Sequence, residues 1–226
     1  MGPKKGIAKT VRVTGDAEPI LAAAAPDNCG IALICGTGSL AWGRNSAGQI
    51  ARAGGWGYLM GDEGSAYAIA RAGLTAAARA ADGRGPATEI LAHLQRELGA
   101  KTPEALIDRI YAPEVTRDRL ASLAKLVFDV SGSDSVANEI VAVAASDLAR
   151  MVATLCERLS LQCAGYTLAL TGSVVLNQEA LREQLLQRLI TNGFGPSTTC
   201  LVAEPVRGAI ALARGLCYRT TRPTPN

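Results

Sequence analysis

The chain has little of what several broad function classes require. Its 226 residues include one histidine, His93, and six scattered cysteines: Cys29, Cys35, Cys156, Cys163, Cys200 and Cys217. They form no C-x-x-C pair and no Cys/His spacing suited to a metal, so they are expected to be small buried apolar residues in a reducing compartment. No G-x-S-x-G turn offers a serine to His93, which excludes a serine–histidine hydrolase and leaves that histidine structural. The pattern G-x-x-x-x-G-K-[ST] is absent, which excludes a P-loop. Aromatic residues make up only 4% of the chain and the net charge is +3. Lys4, Lys5, Lys9 and Arg12 form an exposed basic start without interleaved aromatics, so a nucleic-acid partner is not expected. No apolar run reaches the roughly 18 residues of a membrane span, and residues 1–9 lack a signal-peptide core. The expectation is a cytoplasmic protein without a membrane partner. With 48% hydrophobic residues, mainly Ala, Leu, Val and Ile, the chain can bury a sizeable core.

Glycine is plentiful, and its distribution is informative. Residues 36–64 hold nine of the 24 glycines and end in two acids, Asp62 and Glu63. Residues 31–35 (IALIC) read as a buried strand, which places Gly36-Thr37-Gly38-Ser39 at the tight turn that follows. Glycine there lets backbone N–H groups approach a phosphate with no Cβ in the way. Gly36-x-Gly38-x-x-Ala41 also fits the dinucleotide fingerprint, but that fingerprint must open a helix. Residues 39–44 and 49–53 instead flank Asn45-Ser46-Ala47-Gly48 as strand, turn, strand, which disfavours a Rossmann unit. Asp62 and Glu63 precede a helical run over 65–80, where they would serve either as N-terminal caps or as ligand groups. Trp56, set among glycines, has no regular element to pack from.

Residues 9–14 alternate as a strand, and 20–25 form a short helix, so Asp16 lies at a strand-to-helix junction. Its two readings are a helix cap and a chemical group. Residues 86–98, 103–110, 116–129 and 135–159 show apolar residues at helical spacing. A strand over 167–171 leads into Gly172-Ser173-Val174, followed by a helix over 177–190. A last strand over 199–203 precedes a helix over 206–216 and a frayed tail from 219 to 226.

The succession of strand, GTGS turn, hairpin and GGWGYLMGDEGSAY resembles the N-acetylglucosamine kinase and BadF-type ATPase branch of the actin-like, sugar-kinase and Hsp70 superfamily. Pro205, Gly208, Ala209, Leu212 and Ala213 are similar to that family's closing helix. The resemblance implies an α/β, ribonuclease H-like actin-type ATPase fold. Residues 28–218 would form a large C-terminal lobe with a helical insertion, and 1–27 a remnant of the N-terminal lobe. Thr37, Gly38, Ser39, Gly172 and Ser173 would then hold ATP. Gly55, Trp56 and Asp62 would bind the sugar, and Asp16 would be the catalytic base. The implied activity is phosphorylation of an amino sugar, N-acetylglucosamine at its 6-hydroxyl, with ATP and Mg²⁺ and no protein metal ligand assigned.

The family's opening D-x-G-[GS]-T strand has no match in residues 1–12. At average element lengths this corresponds to on the order of 70 residues, so the chain is similar to the last two-thirds of a kinase. Two other readings stay open: a non-catalytic sugar- or nucleotide-binding protein, and a BadF-type ATPase that activates a partner enzyme. The scattered cysteines, which include no iron–sulfur motif, argue against the last. A homodimer is an arrangement the sequence leaves open.

Overall fold

The computed structural model describes residues 11–161 and 165–220, with side chains up to residue 216. In chain order the elements begin with α1 (Ala17–Ala24), β1 (Gly30–Cys35), β2 (Ser39–Arg44) and β3 (Ile50–Gly54). A helical region follows: α2 (Ala66–Ala81), α3 (Glu89–Leu98), α4 (Ala105–Ile110), α5 (Arg117–Ser122), α6 (Ala124–Val130) and α7 (Ser135–Arg158). The chain then returns through β4 (Thr167–Thr171), α8 (Ser173–Asn177), α9 (Glu179–Thr191), β5 (Thr198–Leu201) and α10 (Val206–Thr220). The five strands form one sheet in the order β3-β2-β1-β4-β5. β1, β2 and β3 pair antiparallel as a meander, whereas β4 pairs parallel with both β1 and β5.

Alternation along the central strands divides the core into two layers, because successive strand side chains point to opposite faces. Ile31, Leu33, Cys35, Leu168 and Leu170 face the helical region, where α7 contributes the fully buried Leu148, Val152 and Leu155. Each such leucine contributes roughly 1.5–3 kcal/mol by leaving water. Ala32 and Ala169 point the other way and meet Ile20, Leu21 and Ala25 at α1. These small strand residues let α1 lie close to the sheet, and α10 packs against α1 on the same side.

Side-chain bonds fix the helix starts. Ser65 caps α2 by accepting from Ala68 N–H, and Thr88 and Thr116 cap α3 and α5 in the same way. Asp134 caps α7 through Ala137 N–H at 2.9 Å and also accepts from Glu89 N–H at 2.6 Å and the Thr88 hydroxyl at 2.8 Å. One carboxylate thus joins two helix N-termini.

Three local expectations are corrected. Residues 11–14 form no strand; Arg12 and Thr14 instead bond to the buried Glu18 of α1, so side chains rather than a ladder anchor this segment. Residues 9 and 10 lie outside the described residues. The helix expected over 116–129 is two, α5 and α6, which meet at the buried Leu123, itself still in the right-handed helical region at φ −69°, ψ −14°. The helix expected over 177–190 begins only at Glu179, after Gln178 has adopted an extended conformation that separates it from α8.

Candidate functional site

β1 and β4 are adjacent and parallel, with Ile34 opposite Thr171, so the turns that follow them leave the sheet at the same edge. In open α/β sheets this carboxyl edge is where ligands bind. A Cβ on Gly36 would lie 3.7 Å from both the nitrogen and the hydroxyl of Ser173. Gly172 is closer still, since a Cβ there would fall 2.5 Å from the Cys35 carbonyl carbon. Its φ of +103° with ψ of 150° is a conformation that glycine alone adopts without strain. Residues 36–39 and 172–173, far apart in sequence, therefore form one surface.

The first turn is tied down from below. Gly36 N–H bonds Gly38 O at 3.0 Å, and the first amides of α2, those of Ala66 and Tyr67, donate to the carbonyls of Gly36 (2.9 Å) and Thr37 (3.4 Å). Ser39 N–H donates to Asp62 Oδ1 at 3.1 Å, and the Ser39 hydroxyl donates to Glu63 O at 2.7 Å. Gly55 N–H completes the set by donating to Ser39 O at 3.0 Å. Neither Asp62 nor Glu63 caps α2; that position belongs to Ser65. Asp62 lies beneath the turn, 4% exposed and at φ +62°, a conformation that Asp tolerates better than most residues. Gly38 has no room for a side chain, since its Cβ would sit 2.7 Å from Asp62 Oδ1 and 3.0 Å from Arg117 Nη2.

Arg117 is the site residue that the sequence did not disclose. From the first position of α5 its Nη2 reaches Asp62 Oδ2 at 2.7 Å and Thr37 O at 3.4 Å. Its guanidinium lies 5.3 Å from the Tyr58 ring centre and 5.9 Å from that of Tyr67, and these two rings meet edge to face. Cation–π contact of this kind holds a guanidinium in place while leaving its N–H groups free to bond. Nothing in the local pattern around residue 117 distinguishes it from the other basic residues of the helical region.

Trp56 is 61% exposed on the same loop, with the Arg52 guanidinium 5.1 Å from its ring centre. Tyr58, Leu59 and Met60 extend this exposed apolar strip. Asp16 stands apart: it is exposed at the start of α1, on the sheet face opposite α2, and makes no side-chain capping bond. Cys35, next to the turn, donates its thiol to Gly64 O at 3.3 Å, and burial pushes that thiol up to about 12, which removes thiolate chemistry from the site. A separate cavity of about 600 Å³ between α2 and α7 reaches Glu63 from behind but is lined by none of residues 36–39, 172 or 173. Among the described residues no group of three or more His, Cys, Asp or Glu is placed to hold a metal ion, and no helix is long and apolar enough to cross a membrane.

The chain is similar in sequence and fold to known proteins. The N-acetylmuramic acid/N-acetylglucosamine kinase of Clostridium acetobutylicum is 35% identical over 207 residues, covering 91% of this chain and 67% of the relative. The N-acetyl-D-glucosamine kinase of Dictyostelium discoideum is 30% identical over 187 residues, 81% of this chain and 59% of its own length. The chain thus spans about three-fifths to two-thirds of these curated relatives. A solved structure from Chromobacterium violaceum, described as a candidate N-acetylglucosamine kinase, superposes with a TM-score of 0.70 at 24% identity, over 88% of this chain and 64% of its own. A second, from Porphyromonas gingivalis, gives 0.65 at 23% identity, over 89% and 65%. At that identity the two structures establish the actin-like ATPase fold. Residues 3–213 match the sequence model of the BadF/BadG/BcrA/BcrD ATPase family, and the chain belongs to that family.

Proposed function

We propose that this chain carries the nucleotide turn and the sugar loop of an ATP-dependent kinase acting on an amino sugar, N-acetylglucosamine at its 6-hydroxyl. The observation that carries the reading is the convergence of Thr37–Ser39, Gly172–Ser173 and Asp62 at one sheet edge, in a chain whose curated relatives are kinases of such sugars. Gly38 and Gly172 leave no room for a Cβ because Asp62 and Arg117 lie against the first and the Cys35 backbone against the second, which keeps the two turns together at the sheet edge. Bound Mg²⁺-ATP supplies the phosphoryl group and the neutralisation of its charge. No Mg²⁺ ligand is assigned among the described residues.

The chain's own residues position the reactants, which is most of what phosphoryl transfer asks of a protein. Gly36 and Ser39 have their amides occupied within the protein, which leaves those of Thr37 and Gly38 to donate to phosphate oxygens. Gly172 and Ser173 admit the adenosine side. Gly55 and Trp56 present backbone and an aromatic face to the sugar. Each oxygen of Asp62 accepts one protein bond and retains a lone pair for a sugar hydroxyl. Asp16, exposed at the start of α1 and apart from this cluster, is given the 6-hydroxyl by the family resemblance, as the group that orients it and receives its proton.

The test is ADP release from ATP with N-acetylglucosamine, with its 6-deoxy analogue, and without sugar. Release that depends on N-acetylglucosamine and vanishes with the 6-deoxy sugar is the expected result. Equal release without sugar would replace this reading with that of an ATPase serving a partner enzyme. A rise in melting temperature with N-acetylglucosamine but no ADP release would replace it with non-catalytic binding.

A further inference from the structure

We propose that Arg117 is a positioning residue that couples the nucleotide turn to the sugar-side acid, so that each ligand strengthens binding of the other; this rests on the kinase reading above. The guanidinium is wedged where three functional segments meet. Nη2 bonds Asp62 Oδ2 at 2.7 Å and Thr37 O at 3.4 Å, while the other Asp62 oxygen takes Ser39 N–H at 3.1 Å. Arg117 and Asp62 therefore grip the turn from both ends, at Thr37 O and Ser39 N. Tyr58 from the sugar loop and Tyr67 from the first turn of α2 hold the same guanidinium by their rings.

The arrangement is not what a solvated helix-start arginine would adopt. The Arg117 side chain is 37% exposed, yet its Nε is buried without a partner among the described residues. Turning outward would hydrate that donor. The side chain stays in because Asp62 would otherwise be a buried carboxylate without a countercharge.

Two ligands thereby act on one ion pair. Phosphate on the Thr37 and Gly38 amides fixes the peptide whose carbonyl Arg117 holds. A sugar hydroxyl on Asp62 fixes the carboxylate that Arg117 pairs with. Whatever ordering the first ligand imposes on the pair, the second no longer has to impose, and the resulting coupling is reciprocal. Arg suits this role because Nη2, which serves both acceptors, is held in a planar group that also lies against Tyr58 and Tyr67, whereas the ammonium of Lys has no plane to stack.

The experiment is calorimetric titration of the full chain with ADP, with and without saturating N-acetylglucosamine, for the wild type, Arg117→Lys and Arg117→Ala. The wild type should bind ADP at least about fivefold tighter when sugar is present, the lower end of ordinary coupling. Arg117→Ala should bring that ratio to about one, and Arg117→Lys should restore part of it. A merely structural arginine would weaken both ligands and leave the ratio intact. Far-UV circular dichroism identifies a variant that has not folded, and the lysine variant alone then decides: an undiminished ratio overturns the proposal. A wild-type ratio of one overturns it while leaving the kinase reading standing, whereas a wild type that binds neither ligand overturns both.

Discussion

Replacing Gly172 by alanine should damage this protein severely, and the magnitude follows from two separable effects. At φ +103° and ψ 150° the backbone occupies a region essentially reserved for glycine, and an L-residue held there costs about 1–3 kcal/mol. The new Cβ would also lie 2.5 Å from the carbonyl carbon of Cys35 and 3.0 Å from its nitrogen. Those are backbone atoms of the central strand, so β1 and β4 must separate at the site edge, and overpacking of this kind costs about 1–3 kcal/mol more. A loss near 4 kcal/mol lowers the melting temperature of a 226-residue chain by roughly 8–16 °C. The control is Gly193→Ala, where φ is +78° but nothing lies within 4 Å of the added carbon. It should lose only the left-handed backbone term of about 1–2 kcal/mol. Urea titration followed by circular dichroism at 222 nm gives both values, provided m is unchanged between variants. Equal losses would refute the reasoning, because the close approach of the two strands would then contribute nothing.

Asp16→Asn should abolish N-acetylglucosamine-dependent ADP release while leaving the sugar dissociation constant within a few fold; undiminished turnover would remove the base assignment. Asp62→Ala should raise the sugar dissociation constant far more than that for ATP, and should cost about 2–3 kcal/mol of stability, because it strands both Arg117 and Ser39 N–H. That figure sits at the low end for a broken ion pair because Arg117 is partly solvated. A larger effect on ATP would reverse the assignment of Asp62 to the sugar. Asp134 provides a test against pH. Burial pushes its carboxyl up, but bonds from the Ala137, Glu89 and Val136 amides and the Thr88 hydroxyl outweigh this and hold it below the usual 3.8. A depressed folded value means that its contribution is complete above about pH 4 and is lost as pH falls through the lower folded value. Asp134→Ala should therefore lower stability by about 1–2 kcal/mol at neutral pH and flatten its acid dependence below about pH 4. An unchanged slope there would contradict the bonding described.

How much was legible in the sequence differs between elements. β2 and β4 have the bounds that their patterns imply, because each is a short run closed by glycine or polar residues at both ends, and side-chain alternation does the rest. The GTGS turn was legible because a strand followed by glycines has few alternatives. Helix starts were less so: Ser65 and Asp62 are both good capping residues, three apart, and only the approach of Asp62 Oδ1 to Ser39 N–H shows that Asp62 faces the turn. The strand expected over 9–14 illustrates the opposite error. Alternation supplied the pattern there, but residues 11–14 pair with no strand among the described residues, and Arg12 and Thr14 bond to Glu18 instead.

The sequence by itself determined the α/β class, the glycine turns and the family, because these rest on local spacing and on the conformations that glycine alone permits. The tertiary structure decided what meets at the site. Parallel pairing of β1 with β4 brings residue 172 against residue 35, and the helical region folds Arg117 back onto Thr37 and Asp62, 80 and 55 residues earlier. An arginine at the start of a short helix carries no local mark of such a partner. Its role arises only when packing buries a carboxylate that requires its charge.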